Sequence, residues 1–457
     1  MDVRTEAART GHAPGRHRTG RRSDPAPAVT VVFQALIWAG VAAVLALWWA
    51  DTPSVVGPVG WFTGAGRITG LLAGYACAVL VILMARVPLL DRTVGSDRLA
   101  RWHAAAGRTT IVLTLAHVVL IIEGYALTVR TDPFTETTRV VLHYPDMLAA
   151  TAGLLLLLLT AVVSARAARR RLSHETWYHL HLLTYAAVFL AFLHQIANGA
   201  DLDRPGVQAA WYALYLGAAA LIVWFRLLAP LRLYRRHRLR VAEVRTEAPG
   251  VVSVLVTGER LAELAVRPGQ FLRWRFLAPG LWWTASPYSV SAVPDGRSLR
   301  ITVKAVGGHS AAVAALRLGT RVWAEGPYGA LTADRAAGRP ALLLAAGVGI
   351  TPLRVLFETL PGDPVLIHWA RRPEELVLRY EIDAVAARRG ARAYYSVSRP
   401  DGYRLPLDAR TLHDLVPDLA RRACYLCGPP GWTAAAEAAL RAAGVPARRI
   451  HHESFAF

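Results

Sequence analysis

Six apolar runs occupy the first half of this chain, at residues 29–50, 68–90, 104–129, 147–165, 177–196 and 207–228. Each is close to the ~20 residues a helix needs to cross a bilayer. A chain inside lipid must satisfy its own backbone polar groups, so such runs restrict this half to a membrane-spanning helical bundle. The hydrophobic fraction of 54% beside 18% charged residues agrees. The formal charge of +20 raises nucleic acid as a partner. Its excess, however, is arginine at the ends of the apolar runs, the pattern of a membrane protein facing the cytoplasm, and no nucleic-acid partner is expected.

The arginines also orient the bundle. Arg4, Arg9, Arg16, Arg18, Arg21 and Arg22 precede the first run, Arg86, Arg92, Arg98 and Arg101 lie between the second and third, and Arg166 and Arg169 to Arg171 separate the fourth and fifth. Arg232, Arg235, Arg236, Arg238 and Arg240 follow the sixth, which puts both termini and everything after residue 230 in the cytoplasm of a multi-pass cell-membrane protein. Residues 1–27 are too poor in large apolar side chains to pack a core and read as a disordered basic tail. Arg21-Arg22 resembles a twin-arginine signal, but the run after it is of spanning length and no small-residue cleavage site follows, so it reads as the first helix.

After Arg240 short alternating strands appear at 251–257, 271–276 and 299–306, predicting a small β-barrel. From about Pro340, strands at 341–345 and 365–369 alternate with helical stretches such as 373–389, predicting a parallel sheet with crossover helices. The expected domains are therefore 28–230 in the membrane, 231–335 as a barrel lobe and 336–457 as an α/β lobe. With three cysteines no disulfide framework is available, and the Cys424/Cys427 pair offers half a metal site.

Histidine inside a span is costly and by default functional. The third run carries His103 and His117, and fourteen residues rise about 21 Å while falling only about 40° short of four turns, so both rings share a face. The fifth carries His179, His181 and His194. Two spans that each offer an inner and an outer imidazole suit two b-type haems, each held from both sides. On this reading His103 faces an inner partner and His117 faces His194. On an ideal helix His181 lies about 140° short of alignment with His194, against about 60° of overshoot for His179. Straight geometry slightly favours His179, and a π-bulge in this span restores His181.

Three cytoplasmic motifs suit a flavin. In Ser286-Pro287-Tyr288-Ser289, an isoalloxazine can stack on Tyr288 while Ser289 reaches ring N5. Gly307-Gly308-His309-Ser310 opens a helical stretch at 311–316 whose N-terminus can hold a pyrophosphate. Glu325-Gly326-Pro327-Tyr328-Gly329 reads as a tight turn ending the barrel. Two further turns suit a nicotinamide nucleotide. Gly347-Val348-Gly349-Ile350-Thr351-Pro352 follows an apolar strand and opens a helix, without the G-x-G-x-x-G spacing. Cys427-Gly428-Pro429 ends another strand, placing a thiol beside the nicotinamide, and the terminal aromatic Phe457 can cover a flavin face.

These residues together resemble the ferric reductase/NADPH oxidase superfamily, a ferric-reductase-like membrane domain fused to a ferredoxin-reductase-like module, over roughly residues 29–457. The resemblance implies His103/His181 and His117/His194 as haem ligands, with His181 preferred to His179. It implies one FAD at Pro287, Tyr288, Ser289, Gly308, His309 and Ser310, and a nucleotide at Gly347, Gly349, Thr351, Pro352, Gly428 and Pro429. Ser398-Arg399 resembles the element that grips an adenosine 2′-phosphate, favouring NADPH over NADH. Electrons are then expected to reach an outside acceptor: ferric iron, oxygen or a protein. The family's Arg or His before the flavin motif is Ser286 here, which keeps an alternative in view, a haem-binding conduit or sensor with a degenerate flavin lobe. An outer histidine of the oxidases is Ile121, against dedicated superoxide production. Arg67 resembles an acceptor-site arginine or is a plain interfacial charge.

Overall fold

A computed structural model describes residues 25–52, 55–165, 171–172, 174–397 and 405–453. The membrane half runs through α1 (Pro25–Asp51), α2 (Gly57–Leu83), a short α3 (Pro88–Thr93), α4 (Ser96–Val129), a short α5 (Pro133–His143), α6 (Met147–Ser164), α7 (His174–Asn198) and α8 (Pro205–Val223). Six of these helices are long and apolar enough to cross a membrane. Proline at the first turn opens α2, α3, α5 and α8, where its missing N–H costs nothing. Asp132 caps α5 by accepting from the N–H groups of Phe134 and Thr135.

Helix faces divide as lipid requires. Val112, Leu115 and Val119 on α4 and Leu155, Leu159 and Val162 on α6 stand exposed at helical spacing. Inside, Gly66, Gly70 and Gly74 form a ladder along α2. A methyl at Gly66 would lie 2.7 Å from Ile121, one at Gly70 2.5 Å from His117, and one at Gly74 2.8 Å from Gln195. Their bareness lets α2 close on α4 and α7, as small residues do between membrane helices.

The sixth membrane helix does not stop at the expected boundary of 230. It passes through a π-helical turn at Trp224–Leu228 into α9 (Ala229–His237). Pro230 has no N–H to offer the carbonyl of Arg226 and its ring crowds that carbonyl, and a widened turn relieves both. The π-bulge expected in the fifth span is not there; α7 is regular α-helix. Strand β1 (Arg240–Ala248) begins three residues past α9, and the join is tied down: His237 O accepts from Glu259 N at 2.7 Å and Leu239 O from Val322 N at 2.9 Å.

The barrel lobe holds two antiparallel three-stranded sheets. One is β1 with β2 (Val251–Thr257) and β5 (Ser298–Lys304), and the other is β4 (Ser286–Ser289), β3 (Phe271–Phe276) and β6 (Val322–Tyr328). Alternate residues such as Leu272, Trp274, Phe276, Val254 and Ile301 point into one buried core. Glu325 to Tyr328 belong to β6, not to a turn as the sequence suggests; the turn begins at Gly329, with φ +100. The expected helix at 311–316 is instead α10 (Gly308–Ala312) followed by a 3-10 turn.

The last lobe is a parallel sheet in the order β11 (Ile450–Glu453), β10 (Ala423–Cys427), β7 (Ala341–Ala346), β8 (Val365–Ala370), β9 (Arg392–Val397). Its three central strands, β10, β7 and β8, are buried on both faces, which explains their continuous apolar runs. α11 (Ile350–Thr359) and α12 (Arg379–Arg389) cover one face, α13 (Ala409–Leu415) and α14 (Pro430–Ala442) the other. The stretch read as one helix at 373–389 starts as a separate 3-10 turn before α12.

Candidate functional site

Two pairs of histidines meet inside the bundle. The ring centroids of His103 and His181 are 6.0 Å apart, and those of His117 and His194 are 6.5 Å apart. Metal–imidazole bonds are about 2.0–2.1 Å, so two imidazoles on opposite sides of one metal have ring centres roughly 6.2–6.4 Å apart. Both pairs fit a bis-imidazole centre. His117 Nδ1 donates to Gly66 O at 2.8 Å and His103 Nδ1 lies 3.3 Å from Leu80 O, an arrangement that leaves Nε2 as the lone-pair nitrogen. His181 Nδ1 is 3.3 Å from Ser164 Oγ, and Trp177 stacks on its ring at 5.1 Å. Gly107, one turn past His103, has open space where a side chain would stand.

His179, favoured by helix arithmetic, points elsewhere: its ring lies 5.9 Å from Trp283 of the barrel lobe. His181 and His194 each meet a histidine of α4 although thirteen residues on one helix do not return to the same ridge. Arg67 is held by Asp201 through two hydrogen bonds, Nε to Oδ2 at 3.0 Å and a terminal nitrogen to Oδ1 at 2.5 Å.

The flavin motif forms β4, paired with β3 so that Arg273 stands opposite Pro287 and Trp274 opposite Ser286. Burial holds the Tyr288 hydroxyl above its usual range. Ser289 is buried, and among the described residues its hydroxyl has no hydrogen-bond partner, a group suited to a ring nitrogen of a bound flavin. His309 Nδ1 sits 3.4 Å from Ser286 Oγ, so an imidazole stands beside the position where the resemblance expects a basic side chain. Ser310 Oγ is occupied at its own turn, accepting from Val306 N and Gly307 N. Gly308 lies exposed at the start of α10.

The two nucleotide motifs come together at the carboxyl ends of β7 and β10, adjacent strands of the parallel sheet. A methyl at Gly349 would lie 2.2 Å from Cys427 O, and one at Gly428 2.8 Å from Trp432, so both glycines serve close packing of the turns. Gly347, with φ +54, takes the left-handed conformation. Thr351 is buried and donates to Val348 O at 3.0 Å; Pro352 is buried in α11 and Pro429 is exposed. The Cys427 thiol is buried with Ala345 and Ile350, while Cys424 faces the opposite side of the sheet, so the two cannot share a metal. Ser398, Arg399 and Phe457 lie outside the described residues.

Sequence reasoning missed three features. His368 is fully buried, Nε2 3.0 Å from Gly347 O, and burial drives its pKa down to about 4. Glu381 takes two hydrogen bonds from Arg300 of the barrel, at 2.6 and 2.7 Å, and pairs with Arg354 at 3.1 Å. Arg86, just past α2, forms an ion pair with buried Glu325 of β6. Near it burial, then the Arg86 charge, pushes Arg273 down to about 10. Each joins residues distant in sequence, and an apolar-strand histidine such as His368 was the only local signal.

Residues 69–192 match the ferric reductase like transmembrane component, and residues 343–438 match the oxidoreductase NAD-binding domain. The chain is similar to the stachydrine N-demethylase reductase subunit Stc4 of Rhizobium meliloti (strain 1021), 33% identical over 227 residues, 46% of this chain and 64% of that protein. It is similar to an NADPH oxidoreductase of Mycobacterium tuberculosis (strain ATCC 25618 / H37Rv), 29% identical over 289 residues, 58% of this chain and 75% of that one. The flavohem-like FAD/NAD-binding domain of nitric oxide dioxygenase from Vibrio cholerae O1 biovar El Tor superimposes with a TM-score of 0.40 at 23% identity, over 48% of this chain and 99% of that one. The chain thus spans just under two thirds of the first of these relatives. With six spanning helices, two antiparallel barrel sheets and a parallel nucleotide sheet in sequence, this is a multi-pass membrane protein that joins a ferric-reductase-like transmembrane domain to a ferredoxin-reductase-like FAD- and nicotinamide-nucleotide module.

Proposed function

We propose that the chain passes electrons from cytoplasmic NADPH, or NADH, through FAD and two b-type haems to an acceptor beyond the membrane. The observation that carries this reading is the meeting of His103 with His181 and of His117 with His194 at two depths of one bundle. When bound, the haems supply one-electron ferric–ferrous chemistry, and the flavin divides a two-electron donation into single electrons. The chain's own residues hold and orient. His103 with His181 and His117 with His194 would hold the two haems, with Leu80 O and Gly66 O setting the tautomers of His103 and His117. Pro287, Tyr288 and Ser289 form the flavin shelf, with Gly308, His309 and Ser310 at its phosphate end. Gly347, Gly349, Thr351, Pro352, Gly428 and Pro429 shape the nucleotide turn, Ser398 and Arg399 grip the 2′-phosphate, Cys427 lies beside the nicotinamide, and Phe457 covers a flavin face until the nicotinamide displaces it. Arginine placement puts both termini in the cytoplasm. Ferric iron, oxygen or a protein takes the electrons outside.

The test is anaerobic. Detergent-purified protein supplemented with FAD is mixed with NADPH while the haem absorption bands are followed. Two haems' worth of reduction, with binding of one haem lost in His103→Ala and of the other in His194→Ala, is the expected result. Haems that stay oxidised with either nucleotide yet respond to dithionite overturn the enzyme reading and leave a conduit or sensor.

A further inference from the structure

The loop between β3 and β4 carries two adjacent tryptophans with different environments. Trp282 is 60% exposed. Trp283 turns inward and lies between imidazoles of two domains: His179 of α7, with ring centroids 5.9 Å apart, and His309 of the flavin lobe, 6.3 Å apart and edge-on. The contacts continue at the flavin end, and at the other end they reach the helix of the inner pair. His309 Nδ1 is 3.4 Å from Ser286 Oγ, the residue that opens the flavin shelf. His179 is two residues from His181, whose ring is 6.0 Å from that of His103. Trp283 therefore ties the flavin shelf to α7, the helix that carries His181 of the inner pair.

A tryptophan suits such a place physically. It offers a large, flat contact area while only two side-chain torsions must be fixed, so the distance it sets between its neighbours varies little. Electron transfer falls steeply with the gap between donor and acceptor, and a small misplacement of the shelf is enough to slow it. The Arg86–Glu325 ion pair holds the same lobe through β6, so trimming Trp283 shifts the shelf without releasing the lobe.

We propose that Trp283 is the positioning residue for electron transfer between the flavin and the inner haem: wedged between His179 and His309, it sets the spacing of the flavin shelf from the His103–His181 pair. The inference rests on the function proposed above. The step it serves oxidises the reduced flavin by one electron and takes one ferric haem iron to ferrous; Trp283 itself is neither oxidised nor reduced.

The experiment uses the full chain loaded with FAD and haem, as wild type, Trp283→Ala and Trp283→Phe. Flavin bleaching and haem reduction by NADPH are timed separately under nitrogen, and hydrogen exchange of residues 176–182 is measured in the resting protein without nucleotide. Trp283→Ala is expected to bleach its flavin at the wild-type rate, to reduce its haems about tenfold more slowly, and to exchange faster in that segment, with Trp283→Phe restoring both. Haem reduction at the wild-type rate in Trp283→Ala overturns the proposal, and so does unchanged exchange. Slowed flavin bleaching also overturns it, since Trp283 then belongs to the flavin site itself. If wild-type flavin bleaches while wild-type haems stay oxidised, the electron path fails along with the proposal, and this is seen before any variant is made.

Discussion

Among single residues, the buried charges at domain junctions are the most consequential. Glu325 is 6% exposed and its partner Arg86 17%. Removing one member of such a pair leaves the other desolvated and unpaired. Arg86→Ala is therefore expected to destabilise the docking of the flavin lobe by about 3 kcal/mol, whereas the matched apolar pair Arg86→Met/Glu325→Leu recovers most of it. Protease nicking near residues 238–240 reads the release. His368 makes a second case. Its imidazole is neutral when folded, with a pKa pushed from 6.5 to about 4 by burial. The unfolded chain binds the proton more readily between those values, so stability is complete above pH 6.5 and falls as pH drops towards 4, by on the order of 3 kcal/mol in all. Thermal melts from pH 7 to 5 should show this slope in the wild type and a shallower one in His368→Gln, if the imidazole is its source.

The inter-lobe latch belongs to the scale of elements. Glu381 on α12 is gripped by Arg300 of β5 and Arg354 of α11. Burial raises its carboxyl pKa, and Arg300 then Arg354 more than offset that, so the net value lies below the ordinary 4.5. The latch thus contributes fully above pH 4.5 and is lost as pH falls below it. Glu381→Gln should loosen the barrel from the nucleotide sheet at neutral pH, visible as faster hydrogen exchange along β5, and should remove the acid-induced part of that change. Spans and strands were legible because lipid and a two-sided sheet core each impose a pattern on consecutive residues. Thus 251–257 and 271–276 were read to the residue. Tertiary neighbours fixed what was misread. The extent of the sixth helix depends on a π-turn around Pro230, and Glu325 sits in a strand because β3 pairs with it. Pairing of histidines between two spans was readable from spacing alone. Spacing slightly favoured His179 and the family resemblance His181, and it is the ring of His181 that meets His103; Trp283 became visible only when loop and span met.

Across the whole molecule, the ordering of parts follows one direction: nucleotide sheet, barrel, inner histidine pair, outer pair. The sixth span runs through its π-helical turn to His237 and meets the barrel at a short join held by hydrogen bonds from Glu259 and Val322. These bonds, with the Arg86–Glu325 ion pair, tie the lobe to the bundle at two places. On the proposed electron path, turnover is then expected to depend on tunnelling across a fixed gap and not on diffusion of a tethered domain. Haem reduction by NADPH should accordingly be indifferent to solvent viscosity raised with sucrose, whereas a swinging lobe would slow in proportion; in this respect the protein behaves as a solid-state junction.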